Sequence, residues 1–378
     1  MGKGTIKEFN SLSEVAKEIK NNNKDLSLLY AFNGTGKTRL SMEFRDLVNE
    51  NREWDKRKII YYNAYTEDLF TWDNDLKNNN EKKLKINKNS TFLDLIKKYG
   101  KENEVATKFK ELTSSKIEPN IDVETGIVTF NLPTGDSETI ENIKISRGEE
   151  SIFIWTMFYI LMETVISELN IDEEIDRTTN EFDEIKYIYI DDPISSLDDN
   201  HVIELAVNLR ELINSSKNDN LKFIISTHHA LFYNILFNEF GKKKKIIYYS
   251  LKSDQYKNSY ALKNEFEDSD FSYHLAIKKE IEEAINKNRI EKYHFMLFRN
   301  LLEKTASYLG YNNWGNLIIG EKVNENNREN YIRMINRYSH SKISEPEYVE
   351  LREREKNTLK LLFNNFIKEF KWEGHDSE

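Results

Sequence analysis

The segment Ala-Phe-Asn-Gly-Thr-Gly-Lys-Thr, residues 31–38, constrains the fold more than any other part of this chain. It completes an apolar run, Leu26–Phe32, and opens a stretch with helical spacing. Gly34 and Gly36 allow backbone N–H groups to close around phosphate oxygens, and the positive end of the following helix would point at the same anion. The order of strand, glycine loop and helix is typical of a phosphate-binding loop.

Each side chain of this loop has an expected role. Lys37 would bridge the outer phosphates of a nucleotide, and Thr38 would bind Mg²⁺. Ala31 replaces the first Gly of the usual pattern, but the Gly-x-Gly-Lys-Thr core favours a nucleotide site over a chance strand–turn–helix. The predicted nucleotide-binding residues of the loop are Asn33, Gly34, Thr35, Gly36, Lys37 and Thr38.

A second element, Tyr187–Asp192, is an apolar strand that ends in two carboxylates. Asp191 is placed to hold the Mg²⁺ water shell, and Asp192 is placed to orient the attacking water. Taken alone, this pattern would indicate only two solvated aspartates at the end of a strand. Together with the lysine loop it predicts a nucleotide hydrolase.

Short runs rich in Ile and Tyr alternate with helical patterns, which favours a mostly parallel sheet covered by helices. We predict loops or insertions at Asn74–Ser90 and Ile171–Glu184. Beyond Phe271 only helical spacing is present, so we place an α/β domain at 1–264 and an all-α domain at 265–378. The predicted strands are Leu26–Phe32, Lys58–Tyr65, Lys186–Ile190, Lys222–Ser226 and Lys245–Leu251, and the predicted helical stretches after Phe271 are Tyr273–Leu309, Asn330–Ser339 and Pro346–Phe370.

Composition limits the class of protein. The 378 residues, 38% of them hydrophobic, suffice for two domains with sizeable cores. Cys is absent, which excludes disulfides and is typical of the reducing cytosol. The first ten residues lack the apolar segment of a signal peptide, and the most apolar run, Ile152–Met162, is shorter than a bilayer-spanning helix. We therefore expect a cytoplasmic protein without a membrane partner.

The net charge of −10 excludes a general polyanion binder. From Phe271 onward, however, the chain carries 18 Lys and Arg against 17 Asp and Glu. A nearly neutral C-terminal third is compatible with one specific nucleic acid.

Three further segments follow in an order that resembles the ABC-type ATPases. Ile145–Glu149, Ile-Ser-Arg-Gly-Glu, is similar to the signature motif of that family. Ser195–Asp198 follows the acidic strand where the family has its D-loop, and His228 matches the switch histidine that contacts the γ-phosphate. The resemblance implies composite sites in which two protomers enclose two nucleotides. It also implies GTP or ATP as the nucleotide and Mg²⁺ as its metal ion.

In such composite sites Ser146, Gly148 and Asp198 would contribute to nucleotide binding. Some positions depart from the family pattern. Asp192 stands where the family has a catalytic Glu, and Arg147 stands where Gly is common. The Q-loop glutamine is missing, and Asn63 or Glu67 could replace it. The sequence has no long heptad tract, which argues against an SMC- or Rad50-like DNA-tethering arm.

In the helical part, Arg299 and Glu303 are four residues apart and share one helix face. On spacing alone they are a surface ion pair, and His340, with Arg333 on the same predicted helix, is an ordinary exposed histidine. However, Leu297–Ala306 followed by Arg-Tyr-Ser-His340 resembles the nuclease domain of the PrrC-type anticodon nucleases. In that family an ABC-type ATPase is fused to a HEPN-like ribonuclease domain.

The resemblance implies that Arg299, Glu303 and His340 form the active site. Metal-free RNA cleavage needs a base for the 2′-OH, an acid for the departing 5′-oxygen and a cation for the charged phosphorane. We favour Glu303 as base and His340 as acid, although the residues leave the order open. The expected products are a 2′,3′-cyclic phosphate and a 5′-OH.

The family resemblance further implies cleavage of tRNA-Lys in its anticodon loop, defence against phage, and GTP as the nucleotide. It also implies dTTP as a stabilising ligand and a type I restriction complex as a silencing partner. Tyr308, Tyr311 and Trp314 could stack unpaired bases, but core packing is the expected role of each. The rival function is a non-nucleolytic, SMC-like ATPase whose helical tail docks an effector or a DNA-repair partner.

Overall fold

The computed structural model describes residues 6–49, 57–63, 70–74, 82–87, 91–134, 139–194, 197, 199–241, 245–254, 259–264, 273–339 and 351–372. The chain divides into two compact units, residues 1–268 and 269–378. The predicted boundary, between residues 264 and 265, lies four positions before this division.

The first unit is built on a seven-stranded sheet with helices on it. Its elements follow the alternation of apolar runs and helical patterns in the sequence. They are β1 (Ile6–Phe9), α1 (Leu12–Asn21), β2 (Leu26–Tyr30), α2 (Lys37–Val48), β3 (Ile59–Tyr62), β4 (Phe70–Asn74), β5 (Lys82–Ile86), α3 (Thr91–Tyr99), α4 (Glu102–Thr113), β6 (Glu118–Asp122), β7 (Ile127–Pro133), β8 (Thr139–Ile140), α5 (Arg147–Leu169), a 3-10 turn (Glu174–Asp176), β9 (Tyr187–Asp191), α6 (Asp199–Ser215), β10 (Lys222–Thr227), α7 (Ala230–Phe240), β11 (Ile246–Asp254) and β12 (Ser259–Asn264).

The order of the main sheet is β1-β12-β11-β2-β10-β9-β3. The five strands from β11 to β3 are parallel to their neighbours, whereas β12 and β1 join antiparallel at one edge. In this register Thr227 pairs with Tyr30, and Ser226 pairs with Asp191. The carboxyl ends of β2, β10 and β9 therefore meet, as in the crevice where open parallel sheets bind ligands.

A second, antiparallel sheet has the order β4-β5-β7-β6, with β8 beside β7. The prediction of a loop or insertion at Asn74–Ser90 is therefore wrong over β5, where the sequence reads Lys-Lys-Leu-Lys-Ile. Leu84 and Ile86 are buried there, while lysines occupy the alternate positions and hide the short strand among polar residues. The aromatic rings of Phe109, Phe130 and Phe153 pack together between this sheet and its helices.

α5 is the longest helix of the described residues, and it is apolar on almost every side. Its 23 residues begin with a capping box in which Ser146 and Glu149 bond reciprocally. By length and hydropathy it could cross a membrane, but 78% of its most apolar window is buried inside the protein. A helix that is hydrophobic all round is typical of a core. The helix is longer than the apolar run read from the sequence, and Val165, Ile166 and Leu169 beyond that run are also buried.

The described part of the second unit is helical throughout. Phe298 packs against Phe363 and Phe366 at the centre of its core. The last helix begins at Glu353, later than the predicted Pro346, and residues 351 and 352 before it are not helical. Residues 346–350 lie outside the described residues. The elements are α8 (Tyr273–Asn286), α9 (Lys292–Tyr308), a 3-10 turn (Trp314–Leu317), α10 (Glu325–Ser339) and α11 (Glu353–Glu369).

Candidate functional site

The glycine loop connects β2 to α2 at the crevice of the main sheet. Gly34 and Gly36 have φ angles of 81° and 102°, in the left-handed region where a side chain is strained. A Cβ at Gly36 would also lie 3.1 Å from Leu12 Cδ1, so the loop is closed from behind by α1. Gly36 caps α2 without a side-chain hydrogen bond. The first N–H groups of this helix are therefore available to an incoming anion.

Lys37 is held inside this loop by its own backbone. Its Nζ donates to the carbonyl oxygens of Ala31 and Phe32 at 3.2 and 3.4 Å and to Asn33 Oδ1 at 3.3 Å. Asp192 Oδ2 lies 3.6 Å from the same nitrogen. Burial lowers the pKa of Lys37, and the nearby aspartates oppose that shift. The ammonium group is therefore already positioned for phosphate binding.

Asp191 and Thr38 are the metal-ligand pair that the sequence predicts, and the structure brings them together. Asp191 is fully buried, accepts a 2.6 Å bond from Ser226 Oγ and is hydrogen-bonded by Thr38. Burial raises its pKa, so a dication would compensate its charge. A hydroxyl and a carboxylate suit Mg²⁺, which takes few protein ligands besides phosphates and water. No group of three or more His, Asp or Glu side chains able to hold a metal occurs among the described residues.

Asp192 forms a tight pair with His228. The His228 Nδ1 lies 2.7 and 2.6 Å from the two carboxylate oxygens, and the His228 N–H donates to Oδ1 at 3.2 Å. Burial would raise the pKa of Asp192, but the bonds and charge of His228, with Lys37, lower it. Its φ of 54° turns the chain out of the strand, so Asp191 and Asp192 face different partners.

A chain of polar side chains leads from Asp191 to the end of β3. Ser41 Oγ donates to Asp191 Oδ2 at 3.4 Å and lies 2.8 Å from Tyr61 Oη, which accepts a 2.8 Å bond from the Asn63 amide. Asn63, one of the two proposed substitutes for the Q-loop glutamine, is thus buried within this network. The other, Glu67, lies outside the described residues.

The signature segment lies at the N-terminus of α5, where the capping box occupies the Ser146 and Glu149 N–H groups. Ser146 Oγ accepts the Glu149 N–H at 3.2 Å, which leaves its hydroxyl hydrogen able to donate. Arg147 and Gly148 form the first turn of α5. Asp198, with Ser195 and Ser196, lies outside the described residues.

In the second unit, Arg299 and Glu303 lie on one face of α9. Arg299 Nε donates to Glu303 Oε1 at 2.7 Å, and the guanidinium carbon lies 5.6 Å from the centre of the Trp314 ring. The Arg299 side chain is only 18% exposed. A guanidinium held between a carboxylate and an indole is more constrained than the surface ion pair that spacing alone suggests.

His340 lies outside the described residues, and α10 ends at the residue before it. Near that end, the rings of Tyr338 and Phe295 are 5.0 Å apart, which places the last turn of α10 beside α9, one turn before Arg299. Tyr338 Oη also donates to Glu355 Oε1 at 2.7 Å. Arg333 is exposed on the same helix.

Several residues of these sites escaped sequence reasoning. Ser41, Ser226 and Tyr61 support Asp191 from other elements, and no local motif marks them. Trp314 was assigned to core packing, but it is half-buried and covers Arg299. Tyr308 and Tyr311, for which core packing is also the expected role, are exposed.

The fold and the loop together fit a P-loop ATPase of the ABC type. Among solved structures, the Smc head bound to the C-winged helix domain of ScpA matches 64% of this chain and 90% of its own at 11% identity and a TM-score of 0.33. The SMC head domain from Thermotoga maritima matches 62% and 88% at 14% identity and a TM-score of 0.30.

No protein-family model matches the sequence. An anticodon nuclease from Escherichia coli, however, is 45% identical over 358 residues, which cover 90% of this chain and 88% of the relative. That coverage includes residues of both units, the glycine-loop unit and the helical one. The chain therefore belongs to the anticodon nuclease family.

Proposed function

We propose that this protein is a nucleotide-gated endoribonuclease that cuts tRNA-Lys in its anticodon loop. The similarity to the Escherichia coli anticodon nuclease carries the proposal, because it covers 90% of the chain and so includes both units. The paired Arg299 and Glu303 on α9 supply two of the three groups that the chemistry needs.

In the proposed cleavage, Glu303 takes the proton of the ribose 2′-OH, whose oxygen attacks the adjacent phosphorus. Arg299 stabilises the charge on the phosphorane, and His340 gives a proton to the departing 5′-oxygen. The products are a 2′,3′-cyclic phosphate and a 5′-OH, and no metal takes part in this step. The contact with Trp314 keeps the guanidinium in place beside Glu303.

The first unit binds and hydrolyses the controlling nucleotide, with GTP as the proposed substrate and ATP as the alternative. Lys37 and the glycine-loop amides hold the phosphates, and Thr38 and Asp191 would hold Mg²⁺, which supplies charge neutralisation at the β- and γ-phosphates. Asp192 and His228 orient the attacking water. Asp192 is one methylene shorter than the Glu usual in ABC-type ATPases, so we expect slow hydrolysis.

Ser146 and Gly148 would bind the nucleotide of a second protomer, so the active form is a homodimer or a larger oligomer. The remaining features of the proposal come from the family resemblance: dTTP as a stabilising ligand, silencing by a type I restriction complex, antiphage defence, a HEPN-like second unit and a cytoplasmic location.

The test is to express the wild type and its variants from an inducible promoter and to sequence cellular RNA ends. We expect wild-type expression to stop growth and to produce new 5′-OH ends in the tRNA-Lys anticodon loop. Arg299→Ala and His340→Ala should relieve toxicity and remove these ends while nucleotide hydrolysis continues. If both variants remain as toxic as the wild type, the non-nucleolytic ATPase is the better account.

A further inference from the structure

The end of α9 carries an exposed apolar surface, the tyrosine patch, formed by Tyr308, Leu309 and Tyr311. Their exposed fractions are 90%, 47% and 45%. Of the eight large hydrophobic side chains that are exposed among the described residues, these three lie within four consecutive positions. Single exposed hydrophobic residues are ordinary, whereas exposed apolar areas that group together are candidate binding sites.

The backbone beneath the patch is fixed by hydrogen bonds. Leu309 N donates to Thr305 O at 2.9 Å, and Tyr311 N donates to Ala306 O at 2.8 Å. Gly310, with a φ of +77°, reverses the chain between them, and a Cβ there would meet no atom within 4 Å. The two tyrosines are therefore carried by a defined turn, with Tyr308 almost fully exposed and Tyr311 partly exposed.

The patch is close along the chain to the tryptophan that covers the proposed catalytic arginine. Trp314 follows Tyr311 by three residues and covers the Arg299 guanidinium at 5.6 Å. Three residues span at most roughly 10 Å of extended chain. An RNA loop bound at the patch can therefore also reach the contact between Trp314 and Arg299.

The chemistry of this surface suits nucleobases. Residues 305–320 contain no charged side chain, although 32% of the whole chain is charged. Exposed amides, those of Asn312 and Asn316, lie in the same stretch, and Lys304 is exposed one turn before Tyr308. Aromatic faces stack on unpaired bases, amides bond their edges and cations contact phosphates.

We propose that the tyrosine patch is the stacking platform for unpaired bases of the RNA loop that this enzyme cuts. This inference rests on the proposed function and assigns its substrate-binding surface. A second copy of the chain is a poorer occupant, because two rings with these exposures offer roughly 200–340 Å². A stable protein interface buries about 800 Å² on each partner.

The experiment uses the full chain and a synthetic anticodon stem-loop of tRNA-Lys with 2-aminopurine in the loop and a 2′-deoxy sugar at the scissile position. Fluorescence anisotropy gives Kd, and quenching of 2-aminopurine reports stacking. We expect Tyr308→Leu and Tyr311→Leu each to weaken binding about 5- to 100-fold and to reduce quenching. Tyr308→Phe and Tyr311→Phe should bind within about twofold of wild type, because they keep the ring.

Ile175→Ser is the matched control, since Ile175 is 91% exposed in the other unit. Leucine variants that bind and quench as wild type does would overturn the platform. A change in sedimentation without a change in RNA affinity would also overturn it, by assigning the patch to self-association. A wild type that binds the stem-loop but leaves its all-ribose form uncut would refute the proposed function and not the stacking surface.

Discussion

The two candidate sites are built in contrasting ways. In the nucleotide site, Lys37 and Asp191 are buried where three parallel strands end, and each has several polar partners. In the nuclease site, Glu303 is 41% exposed on one helix face, and the patch beyond it is open. The buried site is suited to small charged groups, whereas the open one leaves room for a large ligand such as the proposed RNA. Substitutions should therefore have separable effects on the two activities.

The largest separation is expected from Arg299→Ala. Removing the cation proposed to stabilise the phosphorane should lower the RNA cleavage rate about 10²- to 10³-fold. Nucleotide hydrolysis should remain within about twofold of wild type, because Arg299 belongs to the other unit. Single-turnover cleavage and phosphate release, measured on one preparation, check both. Equal loss of both activities would contradict the separation.

The converse separation is expected from Asp192→Asn. The amide keeps the shape of the side chain but weakens its contact with His228, so hydrolysis should fall by about 100-fold. Nucleotide should still bind through Lys37 and hold two protomers together. Gel filtration with saturating nucleotide and Mg²⁺ should show the dimer, and Lys37→Ala, which removes nucleotide binding, is the control. A monomer under these conditions would refute the sandwich arrangement.

Ser226→Ala tests how strongly the buried site depends on its hydrogen bonds. Ser226 Oγ donates to Asp191 Oδ1 at 2.6 Å, and losing a donor to a buried carboxylate should cost about 1–3 kcal/mol in the free energy of unfolding. Urea unfolding of the full chain measures that cost. We expect Mg²⁺ to restore part of it, since the cation would compensate the same charge. An unchanged midpoint would show that Asp191 does not need this bond.

Trp314→Leu should have a smaller effect, confined to the nuclease. Loss of a cation–π contact of about 0.5–2 kcal/mol predicts a roughly 2- to 30-fold lower kcat with little change in KM. Trp314→Phe should recover part of the rate because the ring remains. If the leucine variant raises KM instead, Trp314 binds RNA and does not position Arg299.

The smallest effect is expected from Tyr338→Phe, at the contact between α10 and α11. Burial would raise the pKa of Glu355. The hydrogen bonds that the Tyr338 hydroxyl and the Arg352 N–H donate to its carboxylate outweigh burial and lower that pKa. A carboxylate whose pKa is lowered by folding stabilises the protein at pH values above its unfolded-state pKa. This stabilisation is lost as the pH falls through the folded-state pKa. Tyr338→Phe should therefore cost about 1 kcal/mol near pH 7 and less below about pH 4. A cost that is independent of pH would show that the carboxylate is not involved.

Both sites were predictable where their residues are close in sequence. The glycine loop, the acidic strand end and the Arg299–Glu303 pair each lie within a few residues and have fixed spacing. Ser226 and Asp191 are 35 positions apart, and only the strand register brings them together. In the second sheet, β5 was missed because lysines alternate there with only two buried apolar residues, Leu84 and Ile86. The exposure of Tyr308 depends on how the chain leaves α9, which helical spacing does not encode.

The most direct measurement is cleavage of a labelled tRNA-Lys anticodon stem-loop by the purified protein, first with GTP and Mg²⁺ and then with EDTA added after the nucleotide-bound dimer has formed. We predict a 2′,3′-cyclic phosphate product that requires nucleotide and Lys37, and a cleavage step that continues after the metal is removed. Cleavage without any nucleotide, or cleavage that stops at once with EDTA while the dimer persists, would contradict the account.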